Sequence, residues 1–487
     1  WDTSPCSIEA ANAVAGAARD AIQSRLAGIE NVVIVGGDDI VPHLRVPDET
    51  LISNERDYAL DSFVRPGSPL FASIVQGFNL TDDHYVDASP TDWQGRKLYL
   101  PDLPIGRLIE TPADIRATTD AYVASGGQLS PQTARSFGYD FFDDGAAAVA
   151  TNLSQKLTTT SLINEIWTSD DLRCQFLGEQ VPGKTGCGTT DVTALNAHFT
   201  HYGAYSANGF NTDNLSDFLG GEEISVSPLG GLAGAIVFTM GCHAGLNVPD
   251  DDAESPDAGL GIDPAIDYPQ ALAMQQAILI ASTGYGLGDD QGLGGTEKLL
   301  EIFSRELVDG TTTAGGALVR AKQSYILDQA APTVYDEKST IQTVFYGLPM
   351  YAVRTPVTLA NTASLAAPAG DVTLNIDDGG TPSSITLNRE IETVADGQYY
   401  LTDGQYQSTA GRPIQPKAVI DVPDTGTPAK DVLVWAATYT DITNFNPVIA
   451  RPTTEWEDGA TEPQPCIETF WPAMIARLNS LDIGGTI

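Results

Sequence analysis

The sequence predicts an α/β protein in which a mainly parallel sheet is flanked by helices and is followed by an all-β region. Two observations predict this order. Up to about residue 355, apolar segments of strand length alternate with amphipathic helical segments, which is typical of a parallel sheet. Beyond it, short alternating segments are separated by Gly, Pro, Asp and Thr, which is typical of a β-sandwich.

The composition is that of a large globular chain with a strong excess of acidic residues. Of its 487 residues 42% are hydrophobic, and 64 Asp and Glu stand against 25 Lys and Arg, which gives a formal net charge of −39. Such a chain repels phosphates, so nucleic acid is not an expected partner. No apolar run approaches the ~20 residues that span a bilayer, so we expect no membrane span. The acidity favours an extracellular or cell-surface location.

Start and stop signals mark the elements of a first α/β subdomain, which we expect over residues 1–130. Apolar residues at spacings of three and four predict a helix over 7–29, and NVVIVGGDD from Asn31 predicts a buried strand. The Thr-Pro pair at 111–112 marks the start of a second helix, and the glycines at 126–127 mark its end.

A second α/β subdomain is expected over residues 131–355, and a β-sandwich over 356–487. Helical segments near Ala146 and Thr296 separate several strand signals of the second subdomain. Its strand signals are SFGYD from Ser136, LINEIW from Leu162, AHFTH from Ala197, GAIVFTMG from Gly234 and AILIAST from Ala277. Because parallel sheets bind ligands at the carboxyl ends of their strands, we expect the functional site there.

Two of these strands end in side chains that suit nucleophilic catalysis. The strand in GAIVFTMGCHAG stops at Gly241 and is followed by Cys242, a thiol beside small residues that let a substrate backbone approach. The segment AHFTHYGAYSANG ends a second strand in His201. If the two strands are neighbours, the imidazole of His201 lies beside the thiol. Cys242 and His201 are therefore the predicted catalytic pair.

Two other imidazoles compete with His201. His198 lies three positions earlier, so on a single strand its side chain points to the opposite face. His243 directly follows the thiol, and adjacent side chains on an extended segment diverge, which favours a structural role. An ordinary interpretation also stands beside the catalytic one, because a cysteine on an apolar strand is usually only buried.

The five cysteines allow at most two disulfides and leave one thiol over. We predict that Cys174 pairs with Cys187 and that Cys242 stays free, with Cys6 and Cys466 as a second pair.

One segment imitates a phosphate-binding loop. GEQVPGKT, from Gly178 to Thr185, matches the pattern G-x-x-x-x-G-K-T. That motif requires a following helix, whereas GCGTTDVT contains glycines and β-branched residues that disfavour one. We therefore expect no nucleotide there. A G-x-S-x-G nucleophile elbow is missing, which argues against a serine α/β-hydrolase.

The segment CHAG at the strand end resembles the caspase-hemoglobinase fold, in which metacaspases carry a similar Cys-His-Ser-Gly. The wider match is to the gingipain family of cysteine peptidases. Segments similar to those of the family follow in order from about Asn31 to Thr355: VVIVGGDD, LPIGRLIETPADIRATTDAYV, the His201 segment, PQALAMQQAILIAST and TVFYGLPMYAVRT. The resemblance implies a caspase-like sheet in two subdomains, an immunoglobulin-like domain after it, and a secreted thiol endopeptidase that cleaves proteins or peptides.

The resemblance also implies roles for residues around the pair. Backbone amides of Gly203 and Cys242 would form the oxyanion hole. The family has Gly directly after the catalytic His, whereas here Tyr202 intervenes, so either a one-residue bulge restores the geometry or the donor is weakened. Related gingipains select a basic side chain through an acidic residue before the His strand, a role that Asp170 or Asp171 in WTSDDLR would fill.

The chemistry of a Cys/His pair requires no cofactor, and the resemblance implies a possible structural Ca²⁺. The acidic segments Pro249–Asp257 and Leu80–Asp87 have a suitable density of oxygens but not the spacing of an EF-hand, so no ligand is assigned. Two alternatives remain open. One is a surface or binding protein with a defective pair, which the Tyr202 insertion favours, and the other is a sortase-like transpeptidase that shares the acyl-enzyme.

Overall fold

The computed structural model describes most of residues 1–356 and six strands between residues 372 and 417. Within 1–356 the described residues exclude positions 2, 26–27, 60–61, 213, 215, 228–230, 255–263, 265, 290–291 and 330. The chain divides into two compact units, of which the first holds nearly all of the α/β portion and the second holds the β strands that follow.

The strands of the first unit are short. In chain order they are β1 (Val32–Val35), β2 (Leu44–Pro47), β3 (Phe78–Thr81), β4 (Thr91–Trp93), β5 (Arg96–Leu98), β6 (Ile105–Leu108), β7 (Gln128–Leu129), β8 (Thr133–Gly138), β9 (Thr158–Ile163), β10 (Val192–Leu195), β11 (Phe199–Thr200), β12 (Gly203–Tyr205), β13 (Phe218–Gly220), β14 (Ile236–Phe238), β15 (Ile278–Ser282), β16 (Thr343–Tyr346) and β17 (Ala352–Val353). The α-helices are α1 (Ile8–Gln23), α2 (Glu55–Tyr58), α3 (Pro69–Val75), α4 (Pro112–Ala124), α5 (Asp143–Ser154), α6 (Ser169–Gln175), α7 (Ala207–Asn211), α8 (Gly221–Val226), α9 (Tyr268–Met274), α10 (Gly295–Asp309), α11 (Ala314–Asp328) and α12 (Val334–Ile341). Short 3₁₀ turns lie at Asp83–Tyr85 and Asp140–Phe142.

Eight strands form one sheet in the order β1-β6-β16-β15-β14-β10-β8-β9. Every neighbouring pair is parallel except β15 with β16. Its central strands are buried on both faces, as Ile236 and Phe238 show on one face and Val237 shows on the other. The predicted mainly parallel sheet flanked by helices is therefore confirmed. Because β6 pairs with β16, strands from both predicted α/β subdomains belong to this single sheet.

The predicted helix ends are confirmed where the sequence contains capping residues. The Thr111 hydroxyl accepts a hydrogen bond from the Asp114 N–H at 3.2 Å, α4 begins with Pro112, and the glycines at 126–127 follow its end in the left-handed conformation. The helix predicted over 7–29 begins as expected after its N-cap Ser7 but already ends at residue 23. None of the described helices has the length and hydrophobicity needed to cross a bilayer.

The segment AHFTH, residues 197–201, was predicted to be one strand of the main sheet, and this prediction is wrong. The sheet strand β10 ends before it, and only its Phe199 and Thr200 form a strand, β11. His201 and Tyr202 are the two-residue turn between β11 and β12, and these strands form a separate antiparallel ribbon with β13. Because the chain has left the sheet here, the alternation that set His198 on the face opposite to His201 does not apply.

The described strands of the second unit form antiparallel pairs. They are β18 (Val372–Ile376), β19 (Ser383–Leu387), β20 (Arg389–Val394), β21 (Gly397–Thr402), β22 (Tyr406–Gln407) and β23 (Gln415–Pro416). The pairs are β18 with β19, β20 with β21 and β22 with β23. The segments VTLANTASLA and DVLVWAATY lie mainly or wholly outside the described residues, so the sandwich over 356–487 stays a prediction.

The predicted disulfide between Cys174 and Cys187 is present, and Cys242 is a free, buried thiol. Both predictions are confirmed. Cys6 is a free, exposed thiol, and its predicted partner Cys466 lies outside the described residues. The phosphate-loop-like segment 178–185 lies in the loop that the disulfide closes, and no helix follows it before β10.

Replacing both Cys174 and Cys187 with Ser should lower the free energy of unfolding by about 3 kcal/mol, because the crosslink restricts the unfolded chain over a loop of this size. Urea unfolding of the parent and the double variant measures this difference. Cys6→Ser, which removes an exposed thiol, is the control and should change the free energy by less than ~0.5 kcal/mol. A double variant as stable as this control would contradict a structural role for the crosslink.

Candidate functional site

The predicted nucleophile and His198 follow two neighbouring strands. β10 and β14 are adjacent and parallel, and in their register Ala194 pairs with Phe238. His198 and Cys242 each lie four residues further along their chains, beyond the ends of the two strands. Because both chains have left the sheet by then, the pairing of the strands does not fix the direction of either side chain.

Two contacts show that the chains stay adjacent beyond the strand ends. The Met240 N–H donates to the Asn196 side-chain oxygen at 3.4 Å. A Cβ atom at position 241 would lie 2.7 Å from the carbonyl oxygen of Ala197 and 2.3 Å from the ring of Phe199. Glycine at position 241 is therefore required for the close approach of the two segments.

Cys242 is fully buried at the end of its strand. Its thiol donates a hydrogen bond to the carbonyl oxygen of Gly286, with the sulfur 3.7 Å away. A Cβ atom at Gly286 would lie 2.0 Å from the carbonyl oxygen of Met240, so only glycine permits this packing. The thiol is thus held by backbone of the segment after β15 rather than by an imidazole.

His201 is also fully buried, at the turn between β11 and β12. Its Nδ1 lies 2.9 Å from the Tyr58 hydroxyl, which also accepts the His201 N–H at 3.2 Å. Its Nε2 has no hydrogen-bond partner among the described residues. Burial, assisted by the nearby His243, lowers the pKa of His201 to about 3. His201 is therefore a neutral imidazole at pH 7.

His198 forms an imidazole–carboxylate pair. Its Nε2 lies 3.0 Å from Oδ2 of Asp140, and its ring stacks on Phe210 with centroids 3.8 Å apart. Burial lowers the pKa of His198, and Asp140 opposes this shift. Asp140 has a φ of 54°, an unfavourable conformation for a non-glycine residue. This backbone conformation presents the carboxylate to the imidazole of His198.

His243 is engaged on two sides. Its Nε2 lies 2.9 Å from Oε2 of Glu55, and its ring stacks on Tyr58 with centroids 3.5 Å apart. Its φ of 55° is again left-handed, so the side chain turns away from the direction that an extended strand would give. Burial lowers the pKa of His243 even though Glu55 opposes this effect. These contacts fit the structural role that the sequence predicts for His243.

The short helix α2 supplies the partners of two imidazoles. It begins after Asn54, whose side-chain oxygen accepts the Arg56 N–H at 3.3 Å. Glu55 and Tyr58 lie three positions apart and hence on the same face of the helix. Through them α2 contacts both His243 and the turn that carries His201.

A buried ion-pair network holds α2 in place. Lys338 on α12 lies 2.6 Å from Oε1 of Glu55 and 2.7 Å from Oδ2 of Asp48, and it also donates to the carbonyl oxygen of Ser53. Burial alone would raise the pKa of Glu55, but Lys338 and His243 lower it to about 2. Glu55 is therefore ionised, and the network links α2, α12 and the segment after the thiol.

Sequence reasoning missed Glu55, Tyr58, Asp140 and Lys338. Asn54 is an N-cap signal that could have indicated α2, although a helix of four residues has no apolar period. Lys338 had no local signal, because its partners lie far away in the sequence.

The predicted specificity residues lie in the first turn of α6. Asp171 caps this helix, because its Oδ2 accepts the Thr168 N–H at 2.9 Å, and it also pairs with Lys184 at 2.7 Å. Asp170 is about half exposed and lies 3.1 Å from Arg173. Both contacts of Asp171 are thus made within this region, and Asp170 is the more accessible carboxylate. A pocket role for either one stays a prediction.

The extra residue before Gly203 is accommodated as a turn position rather than as a bulge. Gly203 pairs with Thr200 across the turn and with Gly220 on β13. Tyr202 is buried, and its carbonyl oxygen accepts the Gly221 N–H at 2.8 Å. The role of the Gly203 and Cys242 amides as oxyanion donors stays a prediction.

The segment Leu80–Asp87 does not fit a calcium site. Asp82 accepts hydrogen bonds from Arg107, and both carboxylate oxygens of Asp83 lie 2.7 Å from Lys322 Nζ. These cations occupy the oxygens that calcium would need. The segment Pro249–Asp257 lies partly outside the described residues. Among the residues that are described, no group of three or more His, Cys, Asp or Glu side chains is arranged to hold a metal ion.

Solved structures similar to this chain include cysteine proteinases. The crystal structure of the Arg-specific cysteine proteinase gingipain R (RGPB) has a TM-score of 0.45 and 12% identity, and the match covers 75% of this chain and 71% of that one. The complex of the pro- and mature domains of RgpB from Porphyromonas gingivalis has a TM-score of 0.44 and 13% identity, with 81% and 82% covered. A third structure, of a protease, has a TM-score of 0.38 and 11% identity, with 78% and 74% covered.

No protein-family model and no curated protein sequence matches the chain. The similarities to solved structures concern the course of the backbone and assign no role to individual residues of this chain.

Replacing His201 should change how stability depends on pH. The folded state holds His201 neutral down to a pKa of about 3, whereas an unfolded imidazole takes up a proton near pH 6.5. The neutral His201 therefore stabilises the folded state fully above pH 6.5. Its contribution to the free energy of unfolding decreases as the pH falls, by about 2 kcal/mol between pH 6.5 and pH 5. Urea titrations measure the free energy of unfolding at each pH. Between pH 6.5 and pH 5, this free energy should decrease by about 2 kcal/mol less in His201→Gln than in the parent.

Tyr58→Phe is the control for this measurement. It removes the hydroxyl that contacts the ring but leaves the imidazole buried and titratable, so the pH dependence of the parent should persist. If His201→Gln keeps the same dependence as the parent, the buried neutral state of His201 is wrong.

Proposed function

We propose that the protein is a cysteine endopeptidase that acts outside the cell or at its surface and uses Cys242 as its nucleophile. The observation that carries this proposal is the pairing of β10 with β14, because the segments that follow these neighbouring strands carry Cys242 and the two candidate histidines at the carboxyl end of parallel strands. The similar proteinases named above agree with this chemistry but do not carry it.

Two imidazoles are candidates for the base. The sequence favours His201, whose Nε2 has no hydrogen-bond partner among the described residues. His198, by contrast, has a carboxylate partner in Asp140. An imidazole that becomes positively charged during the reaction is stabilised by a carboxylate more than by a hydroxyl. We therefore propose His198 as the base and retain His201 as the alternative.

The proposed reaction proceeds through a thioester. The base takes the proton of Cys242, the thiolate attacks the carbonyl carbon of the scissile peptide bond, and the imidazolium then protonates the departing amine. Water hydrolyses the thioester and restores the thiol. Backbone amides of Gly203 and Cys242 are the proposed oxyanion donors. A transpeptidase would differ only in the acceptor, an amine in place of water.

One observation favours a second candidate function, a binding protein that retains the peptidase fold without activity. Cys242 is fully buried, and its thiol hydrogen bond is directed to Gly286. A peptide can reach this thiol only after the covering segments move.

Substitutions at three positions test the proposed function. Cys242→Ala should abolish peptide hydrolysis, and His198→Ala should reduce kcat by at least 100-fold through loss of the general base. His201→Gln should retain substantially more activity than His198→Ala. Release of a fluorophore from a peptide mixture measures kcat, and alkylation of Cys242 by iodoacetamide, followed by mass spectrometry, measures its reactivity.

Arg116→Ala, which changes an exposed side chain of α4, serves as a folding control with the parent's activity. If His201→Gln is inactive while His198→Ala is active, the sequence-based choice of His201 is correct. An unreactive Cys242 in a folded protein without hydrolysis would favour the binding protein.

We also propose a preference for a basic residue before the scissile bond, with Asp170 as the better placed of the two predicted acids. Asp170→Asn should lower the ratio of kcat/KM for Arg over Leu substrates on the order of tenfold, because the charge is partly exposed. Asp171→Asn is the control, since this carboxylate is bound by Thr168 and Lys184. A preference that persists in high salt and in both variants would rule out this pocket.

A further inference from the structure

The thiol of Cys242 is held by a short backbone segment that follows β15. The segment comprises residues 286–289, and we call it the holding segment. The thiol donates to the carbonyl oxygen of Gly286, which can bind only the protonated form, because a thiolate has no hydrogen to donate. The partial negative charge of the carbonyl oxygen would repel a thiolate in the same place. Formation of the nucleophilic thiolate therefore requires that the sulfur and Gly286 move apart.

The first turn of α10 anchors the holding segment. The Leu287 N–H donates to Oγ1 of Thr296 at 3.1 Å, and the Leu287 carbonyl oxygen accepts the Thr296 N–H at 2.8 Å. The Asp289 N–H donates to Oε2 of Glu297 at 2.9 Å. Thr296 and Glu297 are both fully buried. Three hydrogen bonds thus tie the holding segment to α10 within three residues of the group that binds the thiol.

The carboxyl group of Glu297 lies where several segments of the site meet. A Cβ atom at Gly288 would lie 2.8 Å from its Oε2. A Cβ atom at Gly145, on α5, would lie 3.2 Å from its Oε1 and 3.1 Å from the sulfur of Met240. Because Met240 precedes Cys242 by two residues, Glu297 lies beside both the holding segment and the chain that leads to the thiol.

Within the described part of the chain, no positive charge compensates Glu297. Lys298, its neighbour on α10, lies 2.8 Å from Glu301 instead. The charged groups that face Glu297 are both acids, Asp144 at the start of α5 and Asp289 in the holding segment. Burial, and after it Asp144, raises the pKa of Glu297 well above its ordinary value of 4.5. The arrangement seen in the structure therefore holds Glu297 as the neutral acid.

The second carboxyl oxygen also favours the neutral form. Oε1 of Glu297 is buried and has no hydrogen-bond partner among the described residues. The 3₁₀ turn Asp140–Phe142 also packs near Gly288, but its Asp140 pairs with His198. A charged carboxylate without donors is too costly to stay in such surroundings, so it would take up water or move away. Either change would loosen the contact with the Asp289 N–H.

We infer that Glu297 is a latch on the holding segment: its neutral carboxyl group keeps Cys242 in the protonated, unreactive arrangement, and loss of its proton to water releases the thiol. That this release serves peptide cleavage rests on the proposed function. Glu297 acts through the backbone of the holding segment and is thus a positioning residue.

The sign of the pH dependence follows from the proton that the closed latch retains. The closed arrangement is fully favoured below the ordinary carboxyl pKa of 4.5. Above it, the ratio of closed to released chains falls by up to about tenfold per pH unit, until the raised pKa of the closed latch is reached. Cys242 should therefore gain reactivity with rising pH beyond the gain that ionisation of the thiol itself provides.

Alkylation of Cys242 by iodoacetamide between pH 5.5 and pH 8, followed by mass spectrometry of the Cys242 peptide, tests the latch. Glu297→Gln keeps an acceptor for the Asp289 N–H but cannot ionise, so it should stay closed. Ionisation of the thiol cancels in the ratio of the parent rate to the Glu297→Gln rate, and this ratio should rise on the order of tenfold from pH 5.5 to pH 8. Glu306→Gln, which removes a carboxyl group further along α10, is the control and should react like the parent at each pH.

Thr296→Val loosens the holding segment by a different route, because it removes the acceptor of the Leu287 N–H and leaves Glu297 in place. At pH 5.5 its alkylation should be on the order of tenfold faster than that of the parent. At pH 8 the two rates should be equal, because the parent is then released as well. This variant decides the question if Glu297→Gln does not fold.

The outcomes separate the latch from the proposed function. A ratio of parent to Glu297→Gln that is constant with pH overturns the latch, because a merely structural role would change the rate by the same factor throughout. Equal alkylation of Thr296→Val and the parent at pH 5.5 overturns the anchoring of the holding segment. A pH-dependent ratio in a chain that hydrolyses no peptide supports the latch and overturns the peptidase, whereas hydrolysis with a constant ratio does the reverse.

Discussion

The parallel alignment of β10 and β14 is the constraint on which the proposed active site depends. Parallel strands deliver their carboxyl ends to one edge of the sheet, so residues that are distant in sequence collect there. Cys242 and His198 follow these two strands. Burial of strand side chains such as Phe238 and Ile280, each worth about 2 kcal/mol, keeps the strands in place. A slip of one residue would reverse the faces of these strand side chains and expose the core.

Around this edge, buried charge determines geometry more than it adds stability. Removing Lys338, Asp48 and Glu55 from water costs several kcal/mol for each ion, and their mutual contacts offset most of this cost. The net gain is small, but each group depends on the others, since an unpaired one would be strongly destabilising. The network therefore fixes α2, and α2 in turn fixes the rings of His243 and Tyr58. A four-residue helix would not hold this position by its own hydrogen bonds.

The sequence was sufficient for the sheet and for a free thiol at the end of β14, but not for the surroundings of that thiol. Apolar strands such as NVVIVGG and caps such as Thr111 carry local signals, and both were identified with small errors in their ends. The base was harder to choose, because it depends on the point at which the chain leaves the sheet. Alternation within AHFTH assumes an extended strand, whereas the turn at His201 and Tyr202 ends that alternation. Contacts such as Asp140 with His198 depend on packing between distant segments and have no periodic signal.

Burial also bears on which imidazole can serve as the base. Desolvation lowers the pKa of all three rings, so a thiolate–imidazolium pair is disfavoured while the site is closed. Carboxylates oppose this effect at His198 and His243, whereas His201 has a hydroxyl partner. A base must hold a proton between attack on the peptide and departure of the amine, so its cation needs a stabilising partner. Asp140 is such a partner, it is partly exposed, and it contacts the ring of His198. This asymmetry supports the proposal of His198 as the base, with His201 as the alternative.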